Sequence, residues 1–147
     1  MWTYQGKEIT SHDDLLPGSQ SIVYELTFDD STKYIGKLVV RSMRRIKPTK
    51  KQLAIRKNYK RVELKDVPFM KYKGSSKEND GKTLLSKEIL YQSSNKKTSS
   101  YIETSLLFFN DVLFTDKYNN KNIAGTHFEN ALDGLLGQEE GEETWLK

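Results

Sequence analysis

The chain has no cysteine, which excludes disulfides, thiolate metal sites and cysteine nucleophiles. It has two histidines, His12 and His127. They are too isolated for a catalytic dyad or an imidazole metal set, and both read as surface residues. No apolar run approaches the roughly 20 residues of a membrane helix. The N-terminal Met1-Trp2-Thr3-Tyr4-Gln5-Gly6-Lys7 also lacks the apolar stretch of a secretory signal. A cytoplasmic setting is therefore the expectation. The most telling absence is local: from Lys37 to Val62 there is no Asp or Glu beside eleven Lys or Arg. From Glu129 to Lys147 the balance reverses, with six acidic residues and one basic. A basic block followed by an acidic tail suggests a polyanionic partner and a solvated extension.

What is present is enough chain, 147 residues, for one domain with one core. Its centre of gravity is a pair of short runs. In Ser21 to Phe28, Ile22, Tyr24, Leu26 and Phe28 alternate with Val23, Glu25 and Thr27, the period of a pleated strand. Tyr34, Gly36 and Leu38 keep that period in the second run, and Asp29-Asp30-Ser31-Thr32 joins the two. A β-hairpin follows, its turn type left open because the linker has no glycine to supply positive φ.

Around the hairpin, Trp2 to Ile9 reads as a short aromatic strand at an edge, and Ser11 to Gln20 as a connection. Leu38 to Lys47 fits either a helical face, through Val39, Val40, Met43 and Ile46, or extended chain. Pro48 ends it, and Thr49 can cap a short helix through Arg56. Lys65 to Thr83 is loop-like, and Ser86 to Gln92 is a candidate third strand. Ile102, Leu106, Phe109 and Leu113 recur at helical spacing, with Thr98 as the expected N-cap. Periodicity fades after Phe128, and the last ten residues read as disordered or lightly docked.

Two triads, Ile22-Val23-Tyr24 and Tyr34-Ile35-Gly36, lie nine residues apart. With Tyr72-Lys73-Gly74-Ser75-Ser76-Lys77, Lys87-Glu88-Ile89-Leu90, Tyr101-Ile102-Glu103 and Tyr118-Asn119-Asn120-Lys121-Asn122-Ile123 in that order, the chain resembles the GIY-YIG endonuclease superfamily. It is most similar to the stand-alone, phage-encoded, homing-endonuclease-like members. The likeness spans roughly residues 1 to 128, with Ile22 standing where the family has its first glycine. It implies an α/β (α+β) fold, a small, mainly antiparallel core sheet of three strands flanked by helices with the hairpin at its centre. Residues 1–128 would form the nuclease domain and 129–147 an acidic extension.

The resemblance also implies roles. Tyr24 would sit near the attacking water and Tyr34 would support water and phosphate. Arg44, eight residues past Gly36, would contact the scissile phosphate, with Arg41 and Arg45 as competitors. Glu103, early in a later helix, would bind one Mg²⁺ or Mn²⁺, and Asn119, or in its place Asn122, would close the site. Lys37 is an accessory candidate, and Ser75 and Ser76 are weaker ones for phosphate.

The chemistry calls for these residue types independently. Phosphodiester hydrolysis needs an activated water and positive charge facing the phosphate. Arginine forks onto phosphate oxygens, and a hard cation can rest on one carboxylate when water and phosphate complete its shell. Tyrosine can act as a base only if its pKa falls from about 10, as neighbouring positive charge from Lys37, Arg44 and a metal would encourage. Lys50, Lys51, Arg56, Lys57, Lys60 and Arg61 are the residues expected to track DNA. Two other readings of the same residues remain open: an inactive nucleic-acid-binding module on this scaffold, and a regulatory factor that meets a protein partner through its acidic tail.

Overall fold

The computed structural model describes residues 1–74 and 77–137; Ser75, Ser76 and the end of the acidic tail, with the expectations attached to them, lie outside the described residues. The architecture is α+β. Strands β1 (Trp2–Tyr4), β2 (Lys7–Ile9), β3 (Ser21–Phe28), β4 (Lys33–Val39) and β7 (Leu84–Ser93) form one sheet in the order β2-β1-β7-β3-β4. Its β7-β3-β4 part is the expected antiparallel trio. The N-terminal segment extends it differently from a single edge strand. Gln5 (φ 50°) and Gly6 (φ 81°) turn Trp2 to Ile9 into a hairpin, and β1 joins β7 in parallel. Both central residues at positive φ make a type I′ turn, whose twist suits adjoining strands.

The central hairpin forms as expected, with Tyr24 facing Gly36 and Leu26 facing Tyr34. Its turn needs no glycine. Ser31 takes the left-handed conformation (φ 68°), and the Asp30 carboxylate accepts from the Thr32 backbone N–H (3.1 Å). The hairpin is not at the centre of the sheet, however. The extra strands lie beyond β7, so β4 is an outer strand, and residues 117–120 cover part of its free edge: Lys33 N–H donates to Lys117 O, and Asn119 N–H to Lys33 O. Covering an edge in this way blocks further strand pairing.

Alternation along β3 divides the interior. Ile22, Tyr24, Leu26 and Phe28 face a core with Trp2, Phe69 and Ile89; Val23 faces a second core with Ile35, Leu107 and Val112. Ile22, in the place of the family's glycine, is fully buried in the first. The second core lies under helix α2 (Lys96–Phe109). Asn95, not Thr98, caps α2, its side chain accepting from the Thr98 backbone N–H at 2.8 Å; an Asn three residues earlier reaches the donor that Thr98 itself carries. Leu107 is buried while Phe109 is exposed, so the apolar face runs through 102, 106 and 107 and leaves Phe109 outside.

Between Leu38 and Lys47 the chain is extended. β5 (Arg41–Ile46) pairs with β6 (Arg61–Asp66), a strand not foreseen, in a two-stranded ribbon. Between them lies α1 (Lys50–Ile55), capped by Thr49 in a reciprocal capping box with Gln52. β6 is exposed along its whole length, so its alternating Val62 and Leu64 cover no core and pairing with β5 makes it a strand. A clasp secures the ribbon's base. Arg41 donates to the carbonyls of His12 (2.7 Å), Leu16 (3.1 Å) and Ser19 (3.2 Å) and to Asp66 (3.4 Å). The His12 Nε2 lies 3.0 Å from Val40 O and 2.9 Å from Val67 O. His12 is therefore a half-buried structural residue rather than a surface one; two converging carbonyls, far apart in sequence, gave it no local signal.

Candidate functional site

Tyr24 projects from β3 across β4 at the one residue without a side chain. A Cβ on Gly36 would overlap the Tyr24 hydroxyl and lie 2.6 Å from its Cζ. The glycine is therefore required so that the ring can lie flat against the strand and carry its hydroxyl toward the sheet edge. A register shift between Val23 and Tyr24 in the β3-β7 ladder falls at the same point, a common arrangement where a strand must re-aim a side chain. Trp2 meets the ring edge-on at 5.5 Å and Tyr72 at 5.7 Å. The Tyr24 hydroxyl donates to that of Tyr72 at 3.4 Å.

The electrostatics of Tyr24 run against the expected tyrosine base. Burial drives its phenol pKa well above the ordinary value, and the Tyr72 hydrogen bond and the fields of Tyr34 and Glu103 push the same way. In the protein as it stands, Tyr24 is a neutral phenol. The desolvation of an almost fully buried ring sets that state.

On the other side of β4, Tyr34, Lys37, Ser100, Glu103, Asn120 and Asn122 line an open polar cleft of about 450 Å³. Lys37 Nζ donates to Ser100 Oγ at 2.6 Å, one helical turn before Glu103. Glu103 is the only carboxylate on the lining among the described residues. Burial raises its pKa, while the charge and backbone N–H of Lys37 pull it down. Glu103 is the eighth residue of α2, beyond the first turn where a helix dipole acts. Desolvation and Lys37, rather than the dipole, define its environment.

The asparagines divide the closing role. Asn119 is buried at the hairpin turn: its Nδ2 donates to Thr32 Oγ1 (3.0 Å) and Asn79 Oδ1 (3.2 Å), and its Oδ1 accepts from Lys82 (2.9 Å). It does not line the cleft. Asn122 does, with its Oδ1 engaged by the Gly125 N–H at 3.1 Å. Between them, Asn120 accepts from the Ile35 N–H (3.0 Å) and donates to the Ile35 carbonyl (2.8 Å). It thereby holds the backbone between Tyr34 and Gly36. Asn120, Ser100 and Tyr72 had no role assigned from sequence. Ser100 stands three residues before Glu103 on one helix face, a usable signal; Tyr72 and Asn120 depend on long-range packing.

Arg44 sits on the exposed ribbon, opposite Glu63, and is not among the cleft residues. Arg41 is committed to three carbonyls and Asp66, which removes it as a competitor. Arg45 shares Arg41's face of the ribbon by strand alternation, leaving Arg44 on the other. Lys50, Lys51, Arg56, Lys57, Lys60 and Arg61 are all exposed on α1 and the ribbon's far end.

Comparison with known proteins places these features. No curated protein and no solved structure matches the chain. A family model does, over residues 2–123, and its description is "Putative endonuclease segE, GIY-YIG domain". The match begins at β1, contains both tyrosine triads, the ribbon and α2, and ends at Ile123, buried in the second core. The chain belongs to the GIY-YIG endonuclease superfamily.

Proposed function

We propose that this chain is a metal-dependent DNA endonuclease that hydrolyses phosphodiester bonds by nicking or double-strand cleavage. The observation that carries the reading is convergence. Tyr34 and Lys37 from the hairpin and Glu103 from α2 line one cleft beside β4, and Tyr24 lies across that strand within the field of Glu103. Residues so distant in sequence need not share an edge for packing alone.

Glu103 fits a hard divalent cation. It is partly desolvated at the cost of its own ionisation, so a cation beside it would offset an unfavourable charge. No cluster of three or more His, Asp or Glu occurs among the described residues. The site therefore suits Mg²⁺ or Mn²⁺, which keep several waters and take substrate phosphate as a ligand, rather than a metal needing a full protein cage. Bound there, the cation would lower the pKa of a water and neutralise charge developing on phosphate.

The chain's own groups do the rest. Tyr24, as a neutral phenol whose own proton is directed to Tyr72, orients the attacking water by accepting a hydrogen bond from it. Tyr34 supports the water and phosphate at the cleft rim. Lys37 faces the developing negative charge, and Arg44 reaches the scissile phosphate from the root of the ribbon when DNA lies along it. Asn119 and Asn120 hold the turn and strand in register, and Asn122 closes the cleft. Lys50, Lys51, Arg56, Lys57, Lys60 and Arg61 track the backbone.

Supercoiled plasmid incubated with Mg²⁺ or Mn²⁺ tests this. Wild type should nick it, and Glu103→Ala and Arg44→Ala should not. A folded wild type without cleavage would favour a binding or regulatory module instead, and cleavage by both variants would refute the site assignment.

A further inference from the structure

Away from the cleft, on the Tyr24 face of the sheet, a second cavity of about 530 Å³ opens where the 73–74 segment meets the start of β7. Its inner wall holds Asn79, which is 8% exposed. The Asn79 Oδ1 accepts from Asn119, but its Nδ2 has no hydrogen-bond partner among the described residues. A buried amide donor is costly to leave unmade, so it is most stable with an acceptor supplied from outside. Gly74 keeps the approach open: it adopts φ +87°, and a Cβ there would stand 3.3 Å from that nitrogen.

Cations line the same space. Lys87 Nζ donates to Met70 O (2.6 Å) and Tyr72 O (3.2 Å) and lies 4.8 Å from the centre of the Trp2 ring. Two carbonyls leave its third N–H available. Desolvation lowers its pKa, and the charge of Lys73 adds to the effect. Neither Lys73 nor Lys87 is ion-paired with a carboxylate of the described residues. Lys82 is committed to Asp30, Thr32 and Asn119, and Asp80 lies exposed at the rim.

We infer that Asn79, Lys73 and Lys87 form a phosphate-binding site, occupied by a non-scissile phosphate of the DNA strand being cut. Two mutually repelling ammoniums and an unpaired amide offer three donors to one oxyanion, whose charge relieves the repulsion. The position suits the source. Lys73 directly follows Tyr72, whose hydroxyl meets that of Tyr24, so a strand held at Tyr24 passes this cavity as it leaves. The assignment of DNA as the source rests on the nuclease reading; the site's affinity for a phosphate group does not.

Two variants test it. Lys73→Gln alters an exposed side chain, and Asn79→Asp keeps the oxygen that accepts from Asn119 while replacing the free donor by a repelling oxygen. Inorganic phosphate is titrated first, following the Asn79 side-chain amide by ¹H–¹⁵N NMR. A DNA duplex carrying a single uncharged methylphosphonate, scanned along the strand, is measured second. Phosphate should shift that amide and the Gly74 backbone amide in wild type, and affinity should fall about tenfold in each variant, followed at Gly74 in Asn79→Asp, which has no side-chain amide. One methylphosphonate position beside the cut should weaken wild-type binding by about tenfold and leave both variants unaffected. An unmoved amide overturns the site. Shifts with phosphate but no position at which methylphosphonate and variant effects coincide overturn the DNA source, whether or not wild type cuts plasmid. Absence of cleavage together with that coincidence removes the nuclease reading alone.

Discussion

The hydroxyl of Tyr24 occupies the space that a side chain on Gly36 would fill. The two residues are direct cross-strand partners in the hairpin, so the last glycine of one triad determines where the tyrosine of the other can lie. Gly36→Ala should displace the ring, costing about 1–3 kcal/mol by overpacking and abolishing cleavage. Adding Tyr24→Phe should recover part of the stability and none of the activity. Urea unfolding with a plasmid assay checks both halves; full recovery of cleavage by the double variant would disprove the coupling.

Glu103 provides a pH signature. Its folded pKa is raised, so the unfolded chain ionises first as pH rises. The group's contribution to stability is greatest below its ordinary carboxylate pKa and declines as pH rises from there through the folded pKa. Glu103→Gln should therefore be more stable than wild type at neutral pH and lose that advantage at pH 4. Wild-type cleavage should fall on the acid side with a midpoint above the ordinary carboxylate value. Thermal unfolding across pH measures the first effect and cleavage rates the second.

Asn120 satisfies both backbone groups of Ile35 from a buried position. Asn120→Ala leaves that N–H and C=O without their partner and should cost about 2–4 kcal/mol. Hydrogen exchange at the Ile35 amide should accelerate beyond that of β3 amides. An unchanged Ile35 exchange rate would rule out the clasp.

Arg41 and His12 anchor a ribbon that otherwise buries little. An isolated two-stranded ribbon is marginally stable in water. Arg41→Ala should speed exchange in β5 and β6 while leaving β3 and β7 protected, with a global cost of about 2–3 kcal/mol. Uniform loosening of the whole sheet would show instead that the ribbon is not separately anchored.

The exposed cations of α1 and the ribbon's far end should make DNA affinity salt-dependent. If about five of Lys50, Lys51, Arg56, Lys57, Lys60 and Arg61 meet phosphates, log K should fall against log[salt] with a slope near −4 to −5. Fluorescence anisotropy over a salt series gives the slope directly, and a salt-insensitive affinity would remove the patch.

The sequence by itself determined the hairpin, because Ile22 to Phe28 and Tyr34 to Leu38 both alternate and a short polar linker joins them. It determined α1, since Thr49 and Gln52 cap one another locally. Tertiary structure decided what depends on distant partners. Asn95 rather than Thr98 starts α2, Asn120 clasps Ile35 in the tyrosine strand, His12 closes the ribbon's base, and β6 is a strand because β5 pairs with it. It also decided the state of Tyr24. Neighbouring cations in the sequence suggest a lowered pKa, but burial among Trp2, Tyr72 and the hairpin backbone raises it. Desolvation is a property of the packed interior, and no reading of residue order contains it.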